Sequence, residues 1–161
     1  ATQDWVEAGS LHTGRYLHTA TLLADGRVVV VGGVDPGRRV DAVEIFDPAD
    51  GRWRHCATLP TPRWGHTATL LPDDQILVTG GFGADGPLRS TYVYDATEDR
   101  WWIAPALSQA RYRHTATRLQ GNADDPVRVL VAGGLGPRDQ TMASAELYVH
   151  HPGVLRPTVV P

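Results

Sequence analysis

Three residue types that can do chemistry recur at a fixed interval. His18, His66 and His114 stand 48 residues apart, each preceded three positions earlier by an arginine: Arg15, Arg63 and Arg111. An aromatic follows each arginine: Tyr16, Trp64 and Tyr112. Three imidazoles at one structural level could ligate a metal. A residue present in every copy of a repeat more often ties a turn by hydrogen bonds, so no metal is expected. His12, His55, His150 and His151 show no metal-ligand spacing. The arginines could anchor a carboxylate, or cap backbone carbonyls and pair with a repeat glutamate. The aromatics offer stacking area for a planar ligand, or packing between neighbouring sheets.

Positions that differ between copies are freer to carry function. Arg113 stands where the other copies have Leu17 and Gly65, and Arg38 and Arg89 lie in loops whose sequences diverge. These loops also carry Asp35 and Arg39, Phe82 and Asp85, and Arg138, Asp139 and Gln140. The expected site has Tyr16, Tyr112 and Arg113 as catalytic groups. Arg15, Arg63, Trp64, Arg111, Arg38 and Arg89 are its expected ligand-binding groups. No cofactor is expected.

Several classes are disfavoured. No Gly-x-Ser-x-Gly, His-Glu-x-x-His or phosphate-cradling glycine loop occurs. The net charge is −3 with no basic run, so no nucleic-acid partner is expected. Apolar runs such as Val28-Val29-Val30-Val31 are far too short to span a bilayer, and no membrane partner is expected. The first ten residues include Asp4 and Glu7 and show no signal-peptide pattern. Cys56 stands alone, which fits a reducing compartment, and a cytoplasmic location is the expectation.

The elements that must position these residues are strands. After each histidine comes Thr-Ala-Thr, then a double glycine (Gly32-Gly33, Gly80-Gly81, Gly133-Gly134). Next come an aromatic (Phe46, Tyr94, Tyr148) and, seven residues on, Trp53, Trp101 or Leu155, with Trp5 in the same register. The runs are short, β-branched and turn-bounded, with 17 Gly and 12 Pro overall and no helical period. Strands are predicted over 18–23, 27–31, 42–46 and 52–57, then over 66–71, 75–79, 90–94 and 100–104, then over 114–119, 127–132 and 143–149. Trp5, Trp53 and Trp101 are expected in the core. Repeats of about 15–62, 63–110 and 111–155 make one domain.

The pattern Arg-x-x-His-Thr-Ala-Thr-Leu-Leu, Asp-Gly-Arg-Val-x-Val-Val-Gly-Gly, Glu-x-Phe/Tyr-Asp-Pro, Gly-x-Trp resembles the bacterial form of the Kelch repeat. The second copy departs with Tyr92 where the others have Glu44 and Glu146, and the third lacks the tryptophan. The resemblance implies an all-β propeller of three four-stranded blades per chain. Propellers close into rings of typically four to eight blades, so two copies are expected to form a six-bladed C2 homodimer. Residues 5–8 would supply the strand the third blade lacks; residues 154–160 are the rival. The chain could instead be cut from a longer propeller. Some Kelch-like oxidases use copper with a Cys–Tyr crosslink, but Cys56 falls on an outer strand, away from the channel. The resemblance places the binding face on the loops carrying Arg15, Arg63 and Arg111. That face could form a small-molecule site at the channel mouth, as in cofactor-independent isomerases, lyases or cyclases. Alternatively it could grip an acidic or extended peptide, or the chain could be structural.

Overall fold

Core strands of stacked sheets must present apolar side chains on both faces, and this chain does so three times over. The computed structural model describes residues 4–119 and 125–151. The first sheet joins β1 (Thr19–Leu22), β2 (Val28–Val31), β5 (Val43–Asp47) and β6 (Arg52–Cys56) in that order. The second joins β7 (Thr67–Leu70), β8 (Gln75–Thr79), β11 (Thr91–Asp95) and β12 (Arg100–Ala104). The third holds β13 (Thr115–Leu119), β14 (Val127–Ala132) and β15 (Ala145–His150). Two-residue ribbons, β3 (Val34–Asp35) with β4 (Arg38–Arg39) and β9 (Phe82–Gly83) with β10 (Gly86–Pro87), form the loops between the second and third strands of the first two sheets. Every pairing is antiparallel, and among the described residues the only helical turn is the 3-10 turn Pro137–Asp139.

The period-2 alternation of β8 divides two cores. Ile76 and Val78 face the first sheet and pack with Val29, Val31, Val43, Ile45 and Trp101. Leu77 points the other way and packs with Val93, Ala104 and Val129 of the third sheet. The middle sheet is therefore covered on both faces. Trp101 is buried, Trp53 is only partly so, and Trp5 is fully exposed. Core placement thus holds for Trp101 and fails for Trp5, which has no sheet of this chain against it.

The glycine pairs let adjacent sheets touch. Gly80 has φ +58°, and a Cβ there would lie 2.6 Å from the Arg111 carbonyl oxygen. Gly81 N–H donates to that same carbonyl at 2.8 Å, as Gly33 N–H does to Arg63 at 2.9 Å. A second line of bonds runs along the start of each sheet. Gly65 N–H donates to Leu17 at 3.3 Å, and Arg113 N–H donates to Gly65 at 2.7 Å.

Two expectations concern the strand that would complete the third sheet. Residues 5–8 pair with no strand within this chain. The rival closing segment, 154–160, lies outside the described residues. The third sheet therefore ends on β15 with its outer edge unpaired among the described residues.

Candidate functional site

Each loop before a sheet's first strand is bridged to the loop between its second and third strands. The bridges are Tyr16 with Val34, Trp64 with Phe82, and Tyr112 with Leu135. Both loop families thus lie at one end of the molecule. At the second and third sheets they converge into an aromatic cluster. Trp64 stacks on Phe82 at 5.0 Å between centroids, and Tyr112 meets the edges of both at 5.4 and 5.1 Å. The Arg113 guanidinium lies over Trp64 at 5.5 Å and over Tyr112 at 5.9 Å. Such contacts are favourable by about 0.5–1 kcal/mol at exposed sites. Arg113 is exposed, as are Arg38, Arg89 and Arg138.

Not every aromatic serves this face equally. Tyr112 is buried, and its hydroxyl donates to Asp139 Oδ1 at 2.6 Å. That bond, with burial behind it, holds the phenol proton more tightly than usual, which argues against the acid–base role expected for Tyr112. Tyr16 is 56% exposed and makes no ring contact among the described residues. The expected common opening therefore gathers Trp64, Tyr112 and Arg113 and leaves Tyr16 apart.

The assignment of Arg15, Arg63 and Arg111 to ligand binding is corrected, because all three side chains are fully buried. Arg63 donates to the carbonyls of Thr61, Gly80 and Ser90 at 3.1, 2.8 and 2.9 Å, and to the Ser90 hydroxyl at 2.9 Å. Its guanidinium lies 5.0 Å over Tyr92, and burial pushes its pKa down to about 10. Arg111 holds Gly133, Ser144 and Glu146 in the same way, and Arg15 holds Gly32, Ala42 and Glu44. Where the second and third strands splay apart, their carbonyls lose ladder partners, and the arginine supplies the missing donors. These guanidiniums are turned inward onto the sheets' own backbone.

The histidines are scaffold too. His66 Nε2 pairs with the Thr19 hydroxyl at 3.0 Å and His114 Nε2 with the Thr67 hydroxyl at 2.9 Å, each reaching the preceding sheet. Burial, then the nearby arginine, pushes His66 down to about 3 and His114 to about 4, so both are neutral at pH 7. His18 is exposed, having no preceding sheet to reach.

One cluster escaped the sequence reading. His12 and His55 rings lie 4.2 Å apart beside Glu44, within reach of one ion. The cross-strand pairing of Glu44 with His55 could have signalled it. Glu44 already accepts bonds from the backbone of His12 and Thr13 and an ion pair from Arg15. Burial would raise this carboxyl, but those bonds outweigh it and keep the group low. A saturated carboxylate beside a guanidinium is a poor cation ligand. Cys56 is free and half-buried, and burial pushes its thiol up, which disfavours a reactive or metal-binding thiolate.

Three comparisons bear on this arrangement. The Kelch motif family matches residues 15–60. Residues 15–60 thus match a Kelch motif, and the same residue pattern recurs in the second and third copies. The chain is 39% identical over 51 residues to an F-box/kelch-repeat protein of Arabidopsis thaliana, covering 32% of this chain and 13% of that one. It is also 39% identical over 49 residues to Kelch-like protein 35 of Homo sapiens, covering 30% of this chain and 8% of that one. The chain thus spans a small fraction of the relatives it matches. These relatives are eukaryotic and give no support to the bacterial form expected from the sequence. No described helix is long and apolar enough to cross a membrane.

Proposed function

We propose that this Kelch chain is a protein-interaction module whose loop face docks an extended, acidic partner segment. The carrying observation is the cluster of Trp64, Phe82 and Tyr112 under Arg113. None of these contacts is dictated by the repeat, since Leu17 and Val34 take the places of Arg113 and Phe82 in the first copy. The exposed cations Arg38, Arg89, Arg113 and Arg138 share these loops with the acids Asp35, Asp41, Asp85 and Asp139. An aromatic platform capped by Arg113 suits a carboxylate carried on an extended peptide. In this reading the module is displayed on a six-bladed ring of two copies.

The alternative, a small-molecule or catalytic site at the channel mouth, is less well supported. A cavity of about 430 Å³ is lined by Gln109, Pro137, Gln140 and Met142 and by none of Trp64, Phe82, Tyr112 or Arg113. Fluorescein-labelled acidic, neutral and basic peptides, titrated with the chain and read by anisotropy, test the proposal. Acidic peptides should bind, more weakly at high salt. Arg113→Ala and Trp64→Ala should each weaken binding about tenfold, or about 1.4 kcal/mol. Equal binding of acidic and basic peptides, or no effect of either variant, would refute it.

A further inference from the structure

We infer that the joint between the second and third sheets holds a small cluster of bound water, gripped by the hydroxyls of Thr79 and Thr91. The inference stands apart from the docking reading and needs no second copy.

The joint between the first and second sheets and the joint between the second and third are built on equivalent positions. At the first joint, Val31 and Val43 stand opposite one another on β2 and β5 and are fully buried. Val78 and Tyr92, opposite one another on β8 and β11, belong to the same apolar core. At the second joint the valine pair becomes Thr79 and Thr91, again opposite one another and buried. Val131 takes the place of Val78, and Glu146, opposite it, takes the place of Tyr92. An aromatic ring has been exchanged for a shorter carboxylate, and two methyls for two hydroxyls, around one spot.

The exchange leaves room. A cavity of about 90 Å³ is lined by Thr79 and Thr91 from the second sheet and by Val131 and Glu146 from the third. Exposed Pro105 and Ala106 also line it, so it communicates with solvent. At about 30 Å³ each, two or three waters fit. Neither threonine hydroxyl has a hydrogen-bond partner among the described residues. A buried hydroxyl in that state has given up its hydration for nothing in return. One rotamer step exchanges a threonine's methyl for its hydroxyl, so either residue can aim its oxygen into the cavity it lines.

Glu146 completes the set. It accepts from Ser108 N–H at 2.7 Å, from Gln109 N–H at 3.4 Å and from Arg111 at 3.0 Å. A carboxylate offers about four acceptor sites, so one is left. Two hydroxyls that both donate and accept, beside that site, supply the partners bound water needs. A metal cation fits less well, because the carboxylate is already paired with Arg111.

A high-resolution crystal structure should show ordered solvent in the cavity, within about 2.5–3.0 Å of both hydroxyls. An empty cavity, or hydroxyls bonded to protein instead, overturns the inference. Urea denaturation gives the test in solution. Thr79→Val with Thr91→Val takes two partners from the water, so the midpoint should fall. An unchanged or raised midpoint would mean dry hydroxyls and overturns it too. Glu146→Tyr rebuilds the arrangement of the first joint and should displace the water. In that background the same two valines should raise the midpoint. The readout is the change of sign, so whatever Glu146→Tyr costs by releasing Ser108 and Arg111 drops out. A shift of the same sign in both backgrounds refutes the water cluster. Should Glu146→Tyr not fold, the direction of the shift in the parent and the crystal structure decide. Neither depends on peptide binding, whose failure would sink the docking proposal alone.

Discussion

Arg63 offers the sharpest separation of a structural group from a ligand-binding one. Arg63→Met keeps most of the stem volume and removes the guanidinium. The carbonyls of Thr61 and Gly80 then lose their donor, which they hold at 3.1 and 2.8 Å, while that of Ser90 keeps the Gly80 N–H. Each buried, unsatisfied group costs about 1–3 kcal/mol, so two give about 2–6 kcal/mol. Burying a charge is itself costly, as the lowered pKa of about 10 shows, and losing that burden offsets part of the loss. A net loss of about 3 kcal/mol is the expectation, against a typical domain stability of about 5–15 kcal/mol. Urea denaturation followed by tryptophan fluorescence reads this directly. At an m-value of about 1–3 kcal/mol/M the midpoint should fall by about 1–3 M. Arg38→Ala, at an exposed loop position, should stay within about 0.5 kcal/mol of the parent. If Arg63→Met unfolded at the parent's midpoint yet lost peptide binding, Arg63 would be a ligand residue and the scaffold argument would be wrong.

The buried histidines make stability depend on pH. Their folded-state values, about 3 for His66 and about 4 for His114, lie below the ordinary 6.5, so the unfolded chain takes up protons first as pH falls. Stability should be full above pH 6.5 and decline toward pH 4. The slope should approach about 1.4 kcal/mol per pH unit per histidine. His114→Asn should flatten the decline between pH 6.5 and 5, and an unchanged slope would contradict it. Trp101→Ala should cost about 3–5 kcal/mol by chemical denaturation. Trp53→Ala should cost less, because Trp53 is only partly buried. Gly80→Ala should destabilise more than Gly65→Ala. Both have positive φ, but a Cβ at Gly80 would meet the Arg111 carbonyl at 2.6 Å, while at Gly65 the nearest atom is 3.5 Å away.

Much of the sheet architecture was legible because burial on two faces leaves a plain mark. The bounds of β8, β12 and β14 coincide with the apolar and aromatic runs that announce them. The histidines were read as the first strand residues but precede them, since their rings turn away to the threonine of the neighbouring sheet. That is a contact 47 residues away, and no local pattern carries it. Trp5 has the pattern of a strand but not the partner, and a strand is a property of two segments. The site was harder still. Arg63 and Arg113 both read as loop arginines; only the splayed carbonyls in three dimensions send one inward and leave the other over Trp64. Phe82 gave no repeat signal, because it matters through its stacking on a residue 18 positions earlier in the chain.

The inner line of hydrogen bonds has a direction. From Leu17 to Gly65 to Arg113, each N–H points back to the carbonyl before it, so one end of the chain offers a donor and the other an acceptor. Units with such polarity close only head to tail, all turning the same way about the central axis. Two copies joined in this manner would carry their loop faces on the same side, half a turn apart. A partner bearing two acidic segments could then engage both at once. The second contact would form at the high effective concentration set by the tether rather than by the bulk solution, and modest single-site affinity would become strong avidity.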